Sequence, residues 1–316
     1  MMRRTPRRLA LLALALLALP GSGCAGAGGD ETVSGRKVRV ATTTNFITDT
    51  VRQVGGDRVE VTGLMGPGVD PHLYKASAKD VRTLRDADII VYGGLFLEGK
   101  MQDVLDGLAR SQTTVAVSRD MPRERLRPAA PNAPAEEEYD PHVWFDPDLW
   151  AFAVGTIADA LAAKDPEHAA EYRRNAKRYT AELRRLRDSS REALAAIPER
   201  RRLLVTSHDA FGYFGRAFDV DVEAIQGIST ATEATAADVK RVAGVIADRE
   251  VPAVFVESSV PRQTIEAVIA AARARGQDVR IGDELFSDAA GDEGTSEGTY
   301  LGMVRANVDR IRRGLS

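Results

Sequence analysis

Short apolar runs and amphipathic stretches alternate along most of this chain, and the apolar spacing switches repeatedly between the strand and helix periods. In the first half, strands are expected at 37–41 (KVRVA), 59–64 (VEVTGL), 88–92 (DIIVY) and 113–117. Helices at 46–54, 78–85 and 100–110 lie between them, with Ser77 as the N-cap of the second. In the third, Met101, Val104, Leu105 and Leu108 fall on one side. Short strands alternating with helices predict a parallel α/β lobe with right-handed crossovers. The second half repeats the theme without a residue-level repeat: strands at 203–207, 221–225, 253–257 and 279–281, helices at 211–218, 236–249, 262–275 and 299–314.

The stretch 120–139 breaks this rhythm with four prolines and the triplet Glu136-Glu137-Glu138, and reads as a solvated surface loop. A helix at 149–163 follows, and then the longest element. Asp165 as N-cap and Pro166 in the first turn start a helix that Pro198 ends. Tyr172, Ala176, Tyr179, Leu183, Leu186, Ser190, Ala193 and Ile197 form one mostly apolar stripe along it. At 1.5 Å per residue this is a rod of roughly 45 Å, expected to pack along both lobes. The fold class is therefore α/β: two lobes, each with a mostly parallel four-stranded sheet flanked by helices, joined by one long rigid helix. Residues 37–164 form the N-terminal lobe, 165–198 the linking helix and 199–316 the C-terminal lobe.

The first residues have a different character. Arg3, Arg4, Arg7 and Arg8 precede an apolar run at 9–20 that is too short to span a bilayer and matches a secretory signal. Gly21, Ser22 and Gly23 lead to Cys24, the only cysteine. This resembles a bacterial lipobox, with Gly21 where that pattern usually has leucine. Residues 1–24 are thus expected to be a lipoprotein signal peptide ending in the lipidation cysteine, Cys24, and 25–36 a Gly-rich flexible tether. The mature protein would be exported and anchored to the outer face of a bacterial cytoplasmic membrane.

Composition narrows the chemistry. With 44% apolar and 28% charged residues the chain is a soluble globular type. A net charge of -3 without a basic stripe gives no reason to expect nucleic acid. A single cysteine excludes a disulfide framework and any Cys-rich zinc or iron–sulfur site.

There are four histidines: His72, His142, His168 and His208. Two stand in matching settings, Asp70-Pro71-His72-Leu73-Tyr74 and Asp140-Pro141-His142-Val143-Trp144, where proline holds the backbone extended before the histidine. Together with His208 they point to a metal site, since imidazole is the commonest metal-ligating side chain. His168 lies off the stripe of the long helix and is left out. His72 follows the second strand and His142 the fourth, His208 ends the first strand of the second lobe, and Asp288 follows its last. Ligands of open α/β sheets bind beyond the carboxyl ends of the strands. Each lobe would supply two groups to a cleft, enough for one divalent cation. Asp70, Asp140, Asp209, Glu233 and Glu257 are available to accept hydrogen bonds from ring N–H groups.

From about residue 38 to 311 the sequence resembles the cluster A-I solute-binding proteins, the metal-binding lipoproteins of zinc and manganese ABC importers. The resemblance is carried by Gly68-Val69-Asp70-Pro71-His72-Leu73-Tyr74, Ala87-Asp88-Ile89-Ile90, Leu97-Glu98-Gly99-Lys100-Met101 and Asp140-Pro141-His142-Val143-Trp144. It continues in Thr206-Ser207-His208-Asp209-Ala210-Phe211, Gly227-Ile228-Ser229-Thr230 and Leu285-Phe286-Ser287-Asp288. Gly93-Gly94-Leu95-Phe96-Leu97-Glu98 departs from the Asn and His that many members carry there, and no His-rich tract precedes His142. The family's four ligand positions fall on His72, His142, His208 and Asp288. The resemblance implies a monomeric, non-enzymatic protein that captures Zn2+ or Mn2+ and delivers it to an ABC permease served by its ATPase. Three imidazoles favour zinc and a bidentate Asp288 would favour manganese. A zinc-dependent hydrolase is an alternative, although Asp288 would fill the open position that catalysis needs; a binding protein for an organic or siderophore ligand is another. Because imidazoles must lose protons to bind, affinity is expected to fall below about pH 6.

Overall fold

The computed structural model describes residues 32–129 and 134–316, so the expected signal sequence and Cys24 lie outside the described residues. Four strands, β1 (Val38–Thr42), β2 (Val59–Gly63), β3 (Ile89–Tyr92) and β4 (Thr113–Ala116), form a parallel sheet of order β2-β1-β3-β4. In central β1 and β3, Val38, Val40, Ala41, Ile89, Ile90 and Val91 are buried, as expected of strands covered on both sides, with Arg39 the exposed exception in β1. Helices α1 (Asn45–Gly55), α2 (Ala78–Asp86) and α3 (Gln102–Ala109) make the crossovers. Ser77 caps α2 as predicted, in a capping box with Asp80.

The long helical region begins earlier than its periodicity implied. Asp146 accepts from the amides of Asp148 and Leu149, and with Pro147 behind it starts α4 (Pro147–Lys164). The linking element is α5 (Ala169–Ala195), 27 residues and about 40 Å long. Asp165 does not cap it through a backbone amide; its carboxylate instead accepts from the His168 ring at 2.8 Å and the Tyr172 hydroxyl at 2.6 Å. The buried stripe is Tyr172, Ala176, Tyr179, Leu183, Leu186, Ser190 and Leu194.

The second lobe contains β5 (Leu203–His208), β6 (Asp221–Gln226), β7 (Ala253–Val254) and β8 (Arg280–Ile281), with helices α6 (Gly212–Phe218), α7 (Ala236–Asp248) and α8 (Gln263–Arg273). Its ladders are two parallel pairs, β5-β6 and β7-β8, and not one continuous sheet. The Phe255 amide donates to the Val205 carbonyl at 2.9 Å and sets the pairs side by side as β6-β5-β7-β8. This is the strand order of the first lobe. The 253–257 and 279–281 runs keep only two ladder residues each, and pairing resumes as an isolated bridge between Glu257 and Leu285.

The main core is shared between the lobes. Phe46 packs on Trp144, Phe145 stacks on Phe211, and Trp150 stacks on Tyr300 of the last helix, α9 (Tyr300–Leu315), with centroids 5.3 Å apart. The first part of the expected surface loop is less solvated than predicted, because Met121 and Leu126 are buried. Among the described residues no helix is long and apolar enough to cross a membrane.

Candidate metal centre

The repeated Asp-Pro-His motif is a local turn. Asp70 Oδ1 accepts the His72 amide at 2.8 Å, and Asp140 Oδ1 accepts the His142 amide at 3.0 Å. A short acid side chain bonding the backbone two residues on is an Asx turn, and the proline between keeps the chain extended enough to form it. In this way each histidine is aimed from a loop beyond the strand ends. His208 arrives differently, as the last residue of β5. Asp288 follows the Glu257–Leu285 bridge.

The structure brings all four predicted side chains together. One potential ligand atom from each of His72, His142, His208 and Asp288 lies within 4.8 Å of the others, and all four residues are buried. Nε2 of His72 and Nε2 of His142 are 3.3 Å apart. Asp288 Oδ1 is 3.4 Å from His142 Nε2, while Oδ2 is 3.3 Å from His208 Nε2 and 4.0 Å from His72 Nε2. Both carboxylate oxygens therefore face imidazoles. His208 Nε2 and Asp288 Oδ1 are buried without a hydrogen-bond partner, a costly condition that a cation among these donors relieves.

Two carboxylates behind the rings settle which nitrogen faces inward. Asp140 Oδ1 lies 2.7 Å from His142 Nδ1, leaving Nε2 to the cluster. Glu257 Oε2 lies 2.5 Å from His208 Nδ1, and its Oε1 accepts the amides of Ser207 and His208. Such support fixes the tautomer and makes the ligand more basic. Arg127 Nε stands 3.1 Å from Asp140 Oδ2, and its Nη1 donates to the Gly212 carbonyl.

The charges follow from burial and neighbours. Burial lowers His72 to about 3, against the pull of Asp288. Burial also pulls His142 down, but Asp140 and Asp288 outweigh it and raise the imidazole to about 9. At His208 burial is likewise overcome, by Glu257 and Asp288, and the group is raised well above its ordinary value. Burial alone would raise Asp288; His208 and His142 hold it far below the usual carboxylate range. These shifts favour protonated His142 and His208 beside an ionised Asp288 in the metal-free protein, with His72 neutral.

Of the acids expected behind the rings, Asp140 and Glu257 take that place. Asp70 holds the His72 backbone and not its ring. Asp209 bonds none of the imidazoles; burial, and then the charge of Asp140, raises its carboxyl. Glu233 is exposed. His168 stays outside the cluster, on Asp165. Sequence reasoning missed Arg127, which sits in an irregular loop with no motif around it. It also missed Ser259, whose hydroxyl is 2.7 Å from that of Ser287 and 3.4 Å from Asp288 Oδ2. Asn45 at the start of α1 was missed too: its side chain clasps the Ala290 amide and carbonyl.

Residues 40–314 match the family described as Zinc-uptake complex component A periplasmic. The chain is similar to the manganese-binding lipoprotein MntA of Bacillus subtilis (strain 168), 43% identical over 307 residues, covering 97% of this chain and 98% of that protein. It is 46% identical over 285 residues to the zinc-binding protein TroA of Treponema pallidum (strain Nichols), covering 90% and 91% of the two chains. The solved structure of the periplasmic zinc binding protein TroA from Treponema pallidum superposes with a TM-score of 0.84, covering 89% of this chain and 99% of that one. Two α/β lobes about a long helix, a buried three-histidine and aspartate cluster and a match spanning nearly all the described residues agree: the chain belongs to the family of periplasmic zinc-uptake component A, the zinc- and manganese-binding solute-binding proteins of ABC importers.

Proposed function

We propose that this protein is the extracytoplasmic solute-binding component of an ABC importer, which captures one zinc or manganese ion between its lobes and hands it to a membrane permease. His72, His142, His208 and Asp288 are the ligands in this reading. The observation that carries it is the convergence of four buried donor atoms within 4.8 Å of one another. The donor set is nitrogen-rich and suits zinc with Asp288 binding through one oxygen; with both oxygens engaged it reaches the higher coordination that suits manganese. Four protein donors are enough to complete a tetrahedral zinc site, which favours a holder of cargo over a hydrolase.

The protein acts as a monomer, tethered by lipid on Cys24 at the outer face of the cytoplasmic membrane, with the permease and its ATPase as partners. Residues 37–164 and 199–316 serve as the lobes and 165–198 as the link. The test is a melting-temperature shift of metal-stripped protein truncated after Cys24, with zinc and manganese separately. Free ion at about a thousand times Kd adds about 4 kcal/mol, which is several degrees for a chain of this size. The rise should disappear in His72→Ala and His208→Ala. No rise with either ion would overturn the ligand set.

A further inference from the structure

The four ligand positions are not held equally. His142 is clamped by Asp140, backed by Arg127, and His208 by Glu257. Asp288 lies in a segment tied down on both sides: Trp144 Nε1 donates to the Ser287 carbonyl, and Asn45 grips Ala290. His72 has no such support. No hydrogen bond holds its Nδ1 among the described residues, and at 5% exposed it is the one member of the set that reaches solvent, the others being at 0%. It rides on a loop containing Gly66, Pro67 and Gly68.

That loop touches the second lobe at two points. Gly68 adopts φ +69°, and a Cβ there would stand 3.3 Å from the Ser258 carbonyl, so only glycine fits so close without strain. Two residues on, Asp70 uses one oxygen for the His72 amide and the other to accept the Thr230 hydroxyl at 2.6 Å, across 160 residues of chain. The position of His72 therefore depends on Asp70, and that of Asp70 on a group in the opposite lobe.

Resting on the metal-capture reading above, we propose that Thr230 is a positioning residue: through Asp70 it latches the loop carrying His72 shut, and so sets how long a captured ion stays. His72 is the ligand that leaves first, and the ion follows once this one hydroxyl–carboxylate bond between the lobes is broken. The other three ligands keep their places on either side of that step.

The test compares wild type, Thr230→Val and Thr230→Ser, each loaded with zinc and mixed with excess chelator in a stopped-flow instrument. Loss of a hydrogen bond to a charged acceptor should make zinc leave Thr230→Val about tenfold faster, with the association rate unchanged. Thr230→Ser, which keeps the hydroxyl, should restore the wild-type rate. The bond is present without metal, so Thr230→Val should also lower the metal-free melting temperature modestly, and Thr230→Ser should restore it. Release from Thr230→Val at the wild-type rate, or equally fast release from Thr230→Ser, would each overturn the latch. A wild type that holds neither zinc nor manganese would instead overturn the metal-capture reading itself.

Discussion

Capture of a divalent ion at this cluster should expel two protons, and the perturbation that reveals it is pH. Before capture His142 keeps its proton up to about 9, and His208 is raised as well. His72, lowered to about 3, is already neutral, and Asp288 is ionised. An ion that takes His142 Nε2 and His208 Nε2 must displace a proton from each. Affinity should therefore rise about a hundredfold per pH unit through neutrality, or about 2.7 kcal/mol, since each proton contributes about 1.36 kcal/mol per unit. The His142 share of this dependence extends to about 9, well beyond the fall below about pH 6 expected of ordinary imidazoles. Stability of the metal-free fold runs the other way. A raised imidazole contributes stability that is complete below the unfolded value of about 6.5 and is lost as pH climbs through its folded value. The assay is titration calorimetry near pH 7 and near pH 8, in buffers of different ionisation enthalpy, which counts the protons released. Equal Kd at both pH values with no buffer dependence would refute the paired-imidazolium reasoning.

The remaining predictions use the same structure. Glu257→Leu removes the acceptor of one buried ring and two buried amides, and should cost about 3–5 kcal/mol in urea unfolding of the metal-free protein. Arg127→Met removes the guanidinium that holds the buried Asp140 behind His142 and should weaken zinc binding by roughly 10- to 100-fold in chelator competition, with the fold intact by circular dichroism. Trp150→Ala opens a cavity beside Tyr300 and removes the indole donor to the Thr50 hydroxyl, and should destabilise by about 3–5 kcal/mol without changing the ligand cluster, read as a lower melting temperature with an unaltered metal-induced shift. Because one core and α5 run through both lobes, X-ray scattering of metal-free and metal-loaded protein should give no resolvable change in radius of gyration; a wide opening would contradict that shared core.

Much of the fold was legible because its signals are local. The apolar runs of β1 and β3, the Ser77 N-cap and the stripe on α5 each depend on neighbours within a turn or two, and each appeared close to where expected. The Asp-Pro-His repeats were readable for the same reason, since the turn that aims each histidine is complete within three residues. Errors arose where local pattern and tertiary placement parted. The 253–257 and 279–281 runs are apolar enough for full strands, yet Arg280 and Ile281 lie exposed at an edge and only two residues of each pair. Asp165 has the composition of an N-cap, but His168 and Tyr172 claimed its carboxylate.

The four converging side chains and the two-lobed α/β plan were thus determined by the sequence itself, through periodicity and self-contained turns. What only the tertiary structure decided is who stands behind them: Glu257 behind His208 from 49 residues away, Arg127 behind Asp140 from an irregular loop, and Thr230 behind Asp70 from 160 residues away. Asp209 and Glu233 had the same chemistry as Glu257 and were equally eligible on paper. A hydrogen bond requires an approach within about 3 Å, and no spacing along the chain encodes such an approach between residues that only the packing of two lobes brings together.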